Sequence, residues 1–255
     1  IKRLGEPVIR TAVSRAMKEM GRQFVLGETI QSAMKRAAGM EARGYTYSYD
    51  MLGEAARTAA DAARYAAEYS AAITQIGAGP HTGGIADRPG ISVKLSALHP
   101  RYEVAQETCV MDELVPVLTR LARQARDAGI GFHIDAEEQD RLGLSLRVID
   151  RVLADGYLAG WDGFGVVVQA YGKRAPEAID ALYQMAATYD RRMNIRLVKG
   201  AYWDTEMKLA QVAGLSGFTL YQTKAGTDVA YICLAERLFR MGDRLFPQFA
   251  THNAH

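Results

Sequence analysis

The chain has 255 residues, 49% apolar and 24% charged, enough for one large domain or two small ones with a real core, and against wholesale disorder. Its 31 Lys and Arg are interspersed with 29 Asp and Glu, so no basic block marks a nucleic-acid face and no acidic tail is present. Only two cysteines occur, Cys109 and Cys233, far apart and in no metal spacing, which excludes a disulfide framework and favours a reducing, cytoplasmic setting.

No apolar run approaches the ~20 residues of a membrane span. No signal peptide leads the chain, and Ile1 is not a natural start, so a segment of something longer is expected. The first elements read as helices. Val8, Ile9, Ala12, Val13, Ala16, Met17 and Met20 form a stripe at helical spacing over 7–26, and a shorter helix is expected over 28–38. An Ala-rich helix over 51–76 follows, with Asp50 as its cap and Glu54 in the next turn; Gly77, Gly79 and Pro80 end it. The polar, turn-rich stretch 77–90 is a natural boundary. The division expected is a helical segment over 1–89 and a second domain over 90–255.

From residue 90 short β-prone runs alternate with longer helical ones. The strands expected are 91–95, 131–135, 164–169, 195–199, 218–221 and 248–251. Helices are expected at 112–128, 140–155, 176–191, 205–213 and 227–241, with Pro176 suited to a first turn. This alternation means a mainly parallel sheet, and the apolar runs FGVVVQ and IRLVKG suit strands buried on both faces. A doubly wound sheet and a (β/α)8 TIM-like barrel both fit. Chemically useful groups end almost every strand, and a barrel gathers all such ends round one axis, which favours the barrel. Six strands are countable where a closed barrel needs eight, so the last strands look missing.

Each polar strand end has a functional and a plain reading. Lys94 interrupts an apolar run, as an internal cation for a carboxylate or phosphate or as a lysine snorkelling from an edge. His133, Asp135 and Glu137 alternate and could share a face as metal ligands; Asp135 could instead hold an ammonium, and His133 alone reads best as a core histidine. Gln169 could meet a heterocycle edge or simply bind a loop. The richest stretch is 196–204, where Arg196 and Lys199 flank a strand end before Gly200, Tyr202 and Trp203; ligand contact competes there with salt bridges over core aromatics. Thr223 with Lys224, and Thr251-His252-Asn253 before His255, are further polar clusters. There is no GxGxxG after a strand and no Walker A motif.

Together the strings YSYDMLGEA (47–55), VKLSALHPRYE (93–103), DAEE (135–138), VVQAY (167–171), RLVKGAYWD (196–204) and ATHNAH (250–255) resemble the proline dehydrogenase domain of the bifunctional proline utilization A family, from about Tyr47 to the C-terminus. The resemblance implies a distorted (β/α)8 barrel that binds FAD without a Rossmann motif. It implies oxidation of L-proline to Δ1-pyrroline-5-carboxylate, with electrons passed to a membrane quinone, hence a cytoplasmic protein peripheral to the inner face of a membrane. An NAD-dependent dehydrogenase domain on the same polypeptide would then make glutamate. By similarity Lys94 binds the proline carboxylate, and Asp135, Leu197 and Tyr202 line the substrate pocket. Gln169, Arg196, Val198, Lys199, Gly200, Trp203, Thr223, Lys224, Thr251, His252 and Asn253 surround FAD. The chemistry agrees: a buried cation suits an anionic amino acid, and a guanidinium such as that of Arg196 stabilises a flavin gaining negative charge. The family's final strands and a helix carrying two carboxylate-gripping arginines have no counterpart here, so a poorly active, aggregation-prone chain is expected. A homo-oligomer is compatible with the sequence. Three rivals remain: a metal-dependent barrel hydrolase or aldolase using His133, Asp135, Glu137 and His252; a Schiff-base lyase through Lys94 or Lys199; and a noncatalytic binding module.

Overall fold

The computed structural model describes residues 2–21, 25–79 and 82–251, with side chains from residue 8 onward. The backbone divides into two compact units, Ile1–Tyr47 and Ser48–His255. The first holds helices α1 (Lys2–Gly21) and α2 (Ile30–Glu41). The α1 stripe of Val8, Ile9, Val13, Met17 and Met20 is exposed. A reciprocal cap starts α2: the Thr29 hydroxyl accepts from the Ser32 N–H, and the Ser32 hydroxyl oxygen accepts from the Thr29 N–H.

The second unit opens with a strand, β1 (Ser48–Asp50), where sequence reading places a helix cap. The Ala-rich helix α3 (Ala59–Gly77) starts later, because Thr58 caps it through Asp61. Then come β2 (Gly90–Val93), a short α4 (Leu95–Leu98), α5 (Glu107–Asp127), β3 (Gly131–Ile134), α6 (Leu142–Leu153) and β4 (Phe164–Gln169). Next are α7 (Ala175–Thr188), β5 (Met193–Val198), α8 (Trp203–Val212), α9 (Lys224–Arg240) and β6 (Leu245–Phe249). The expected strand at 218–221 is not in the sheet; Leu220 makes one isolated antiparallel bridge to Gly172. Six strands were countable and six are described, but the sets differ by this exchange with β1. The expected boundary at residue 89 therefore falls inside the second unit, after the sheet has begun.

The sheet is wholly parallel, in the order β1-β2-β3-β4-β5-β6. On one face, Ile91, Val93, Phe132, Ile134, Phe164, Val168, Ile195 and Leu197 are buried, and they carry the apolar core that α3, α5, α6 and α7 cover. Alternation turns Ser48, Ser92, His133, Gly165, Asn194 and Arg196 to the other face. That face is concave. Arg196 on β5 donates to Ser92 on β2 at 2.9 Å and to Ser48 on β1 at 2.8 Å. In a flat sheet four strand spacings would separate β1 from β5 by roughly 19 Å, beyond the reach of any side chain. The sheet is therefore curled, with β1 and β6 as the edges of its described part.

Candidate active site

All strands run the same way, so their C-terminal ends share one rim. There a cleft of about 860 Å³ opens, lined by Asp50, Lys94, Asp135, Gln169, Val198, Tyr202 and Thr251 among others. Lys94 follows β2 directly, and its side chain is 13% exposed. Its ammonium donates to Asp50 at 2.8 Å and to Asp135 at 3.0 Å. Burial alone would lower the lysine pKa, but the two carboxylates outweigh it and hold Lys94 above its ordinary value. Asp135 is pushed up, first by burial and then by Asp50, with Lys94 pulling the other way. One cation thus serves two anions. An ammonium has three N–H groups, so one remains for a ligand.

Arg196 lies deeper in the concave face. Its partners are the neutral hydroxyls of Ser92 and Ser48, which orient the guanidinium without cancelling its charge. Burial lowers its pKa against the pull of Asp135 and Asp50, and an arginine stays protonated regardless. Below it, His133 packs against Gly165, where any Cβ would overlap the ring. Gln248 approaches that ring, yet neither ring nitrogen completes a hydrogen bond. Burial, reinforced by Arg196, pushes His133 down to about 3, so it is neutral.

The loop from β5 to α8 closes one side of the cleft. Gly200 holds φ of +141°, a conformation other residues avoid, and a Cβ there would overlap the Tyr171 ring. The Gln169 amide is fixed at both ends, donating to the Glu137 carbonyl at 2.8 Å and accepting from the Ala201 N–H at 3.1 Å. The Tyr202 hydroxyl reaches Glu54, beyond β1, at 3.5 Å. Trp203 donates to the Tyr221 carbonyl at 3.0 Å. Lys199 and Lys224 share Asp228, leaving one net positive charge at the rim. The Thr223 hydroxyl caps α9 through the Gly226 N–H at 3.1 Å.

The comparisons with known proteins point one way. A family model described as proline dehydrogenase matches residues 33–255. The chain belongs to the proline dehydrogenase family. It is 52% identical to the bifunctional protein PutA of Escherichia coli, over 100% of this chain and 19% of that protein. It is 26% identical to the proline dehydrogenase of Deinococcus radiodurans, over 97% of this chain and 69% of that one. Among solved structures, a mutant of proline utilization A from Bradyrhizobium japonicum superposes with a TM-score of 0.87 at 54% identity, over 100% of this chain and 26% of that one. Proline utilization A from Bdellovibrio bacteriovorus, inactivated by N-propargylglycine, gives 0.90 at 25% identity, over 96% of this chain and 27% of that one. The chain thus spans about a fifth of the length of the PutA proteins it matches.

Within this proline dehydrogenase fold, Lys94, Asp135, Gln169, Val198, Lys199, Gly200, Tyr202, Lys224 and Thr251 all line the cleft. Arg196, Leu197, Trp203 and Thr223 are not among its lining residues. Leu197 alternates to the helix-covered face of β5 and is fully buried, so only its backbone, through a carbonyl that accepts from Tyr231, belongs near the site. His252 and Asn253 lie outside the described residues. The metal-ligand reading of 133–137 fails on geometry: Asp135 is paired with Lys94, Glu137 accepts from the Ser96 N–H at 3.0 Å, and His133 is sealed in the interior. Among the described residues no three His, Cys, Asp or Glu groups converge. The Schiff-base reading through Lys94 is opposed by its two carboxylates, which keep it an ammonium and not a nucleophile.

Sequence reading missed Asp50, Ser48 and Ser92 as site residues. Alternation on β2 sets Ser92 two residues before Lys94, which is the signal that could have found it. Asp50 and Ser48 were hidden because a three-residue strand has no readable periodicity. Tyr171 and Asp228 were also missed, one through its distance from the strand end and the other as an ordinary helix charge.

Proposed function

We propose that this chain forms the flavin-binding, proline-oxidising part of its protein, folded as a (β/α)8 TIM-like barrel whose curled six-stranded sheet is described above. The observation that carries this reading is the pairing of Lys94 with Asp50 and Asp135 in the lining of the cleft, with Arg196 on the same concave face of the sheet. An amino acid presents an anion and a cation a few ångströms apart, and so does this cluster in mirror charge. Lys94 takes the carboxylate on its remaining N–H. Asp135 and Asp50 attract the ring ammonium. Tyr202 supplies an apolar wall and Val198 another.

The cleft fits FAD in size and chemistry. Its volume lies within the usual range for small-molecule sites. Gly200 admits a close backbone approach, the fixed Gln169 amide borders a flat ring surface, and Lys199, Lys224 and Thr223 would face the anionic phosphates. When bound, FAD supplies the acceptor for the hydride that leaves the proline ring carbon next to nitrogen. The ring ammonium first gives up one proton to solvent, the freed nitrogen lone pair forms the C=N bond as the hydride leaves, and loss of the remaining N–H proton from that iminium gives neutral Δ1-pyrroline-5-carboxylate. Arg196 contributes a fixed, locally uncompensated positive charge where negative charge develops, with no reorganisation at the moment of reaction.

Electrons would pass on to a membrane quinone, and an NAD-dependent dehydrogenase domain of the same polypeptide would consume the product. Among the described residues no helix is long and apolar enough to cross a membrane, so contact with a quinone pool would be peripheral. The test is L-proline-dependent dye reduction by the full-length protein, with flavin read from its absorption bands. A yellow protein that reduces dye with L-proline supports the reading; a flavin-free protein, or one indifferent to proline, overturns it.

A further inference from the structure

Tyr171 lies just beyond the end of β4 and is 3% exposed, yet it touches the β5–α8 loop at three points. Its N–H donates to the Lys199 carbonyl at 2.9 Å. Its ring fills the space beside Gly200 that a Cβ would need. Its hydroxyl accepts from the Tyr202 N–H at 3.2 Å and donates to Glu206 Oε1 at 3.2 Å. Glu206 is itself 7% exposed, and the same oxygen accepts from the Gln139 N–H at 3.2 Å. A buried carboxylate is costly unless its oxygens are hydrogen-bonded, and both donors here are fixed by neighbouring loops. Burial pushes Glu206 up while these two hydrogen bonds pull it down; burial and then Glu206 push the Tyr171 hydroxyl up, so that hydroxyl stays a donor.

The Tyr202 carbonyl accepts from the Glu206 N–H at 2.9 Å, which ties it to the first turn of α8, and its N–H is tied separately to the Tyr171 hydroxyl. Its own hydroxyl meets Glu54 only at 3.5 Å, the outer limit of a hydrogen bond. The direction in which its side chain enters the cleft is set at its backbone, and the Tyr171 hydroxyl is what its N–H binds.

We propose that Tyr171 and Glu206 form a positioning pair that sets Tyr202 against the substrate, so that they govern proline affinity without touching proline. The proposal rests on the proline-oxidising reading of the cleft. Tyr171→Phe keeps the ring beside Gly200 and removes only the hydroxyl. In the full-length, flavin-loaded protein it should raise KM for L-proline about tenfold, the size of one lost hydrogen bond, with kcat within about threefold of wild type. Flavin bands and melting temperature should stay near wild type. Glu206→Gln keeps an acceptor oxygen for both donors and should leave KM within about threefold, whereas Glu206→Leu should match Tyr171→Phe. In a Tyr202→Ala background, Tyr171→Phe and Glu206→Leu should have no further effect on KM. A pair that merely holds the fold would act equally in both backgrounds, and that outcome overturns the proposal. So does an unchanged KM in Tyr171→Phe, or loss of flavin in both Tyr171→Phe and Glu206→Leu. A wild-type protein that fails to oxidise proline would instead refute the reading of the cleft, which the coupling experiment does not address.

Discussion

Replacing Lys94 with methionine tests the charge arrangement at its centre. The side chain is 13% exposed and lies between Asp135, 17% exposed, and Asp50, 46% exposed. Removing one partner of a buried ion pair typically costs about 3–5 kcal/mol, because the other charge is left uncompensated. Asp50 can turn to water, so the loss of stability here should be nearer 2–3 kcal/mol. The effect on substrate is larger and has a sign. Losing a desolvated cation that pairs with a carboxylate costs about 2–5 kcal/mol of binding, a thirtyfold or greater rise in Kd even at the low end. The two aspartates left behind repel a carboxylate and still attract an ammonium. Affinity for L-proline should therefore collapse while affinity for pyrrolidine, the same ring without the carboxylate, holds or improves. Spectral titration of the flavin with both compounds, at matched flavin content, reads the ratio directly. Equal losses for the two ligands, or unchanged proline affinity, would remove Lys94 from the carboxylate site.

Arg196→Met should lower the flavin reduction potential by a few tens of millivolts, since 30 mV is about 1.4 kcal/mol for two electrons; potentiometry giving an equal or higher potential contradicts the assigned role. Asp50→Asn removes a negative charge that helps push Asp135 up, so the acid limb of the kcat/KM profile should move to lower pH. An unmoved limb assigns it to another group. His133 is neutral in the native state down to about 3, against an ordinary value of 6.5, so its contribution to stability is complete above about pH 6.5 and is lost as pH falls towards 3. Between pH 7 and 5 the wild type should lose about 2 kcal/mol that His133→Asn does not, followed by thermal release of flavin fluorescence; parallel pH dependence in both proteins would place the acid-sensitive group elsewhere.

Much of the fold was legible because its signals are long. The run FGVVVQ is β4 to the residue, and the helices from α5 to α9 lie within a few residues of their expected bounds. What failed was short. β1 has three residues, and its Asp50, read as a helix cap, turns a plausible local signal into a tertiary one: the carboxylate binds Lys94, 44 residues away. Residues 218–221 failed in reverse. Phe218 to Tyr221 has strand composition but no strand beside it, since β5 already pairs with β6 and the segment can make only one bridge, to Gly172. Composition states what a segment tolerates; the partner decides what it becomes.

The same distinction governs the site. Residues that end a strand with an unusual group, such as Lys94, Asp135 and Gln169, which line the cleft, stand out because a charge or amide after apolar residues has a cost that sequence alone exposes. Leu197, buried away from the cleft lining, carries no such mark, and only alternation against Arg196 and Val198 tells its face. Asp50, Ser48, Ser92 and Tyr171 were invisible for a third reason: their partners lie on other strands or loops, and for Ser48 and Ser92 it is the curl of the sheet that brings Arg196 close. That curl also explains how Arg196 is held in place without a close carboxylate. Two serine hydroxyls hold its orientation from β1 and β2, while Asp50 and Asp135, committed to Lys94, act on it only at longer range. Pairing it directly would cancel the field it offers to a ligand. A curled sheet can orient a cation with neutral groups from strands far away in sequence, and so keep its charge available at the place where the chemistry needs it.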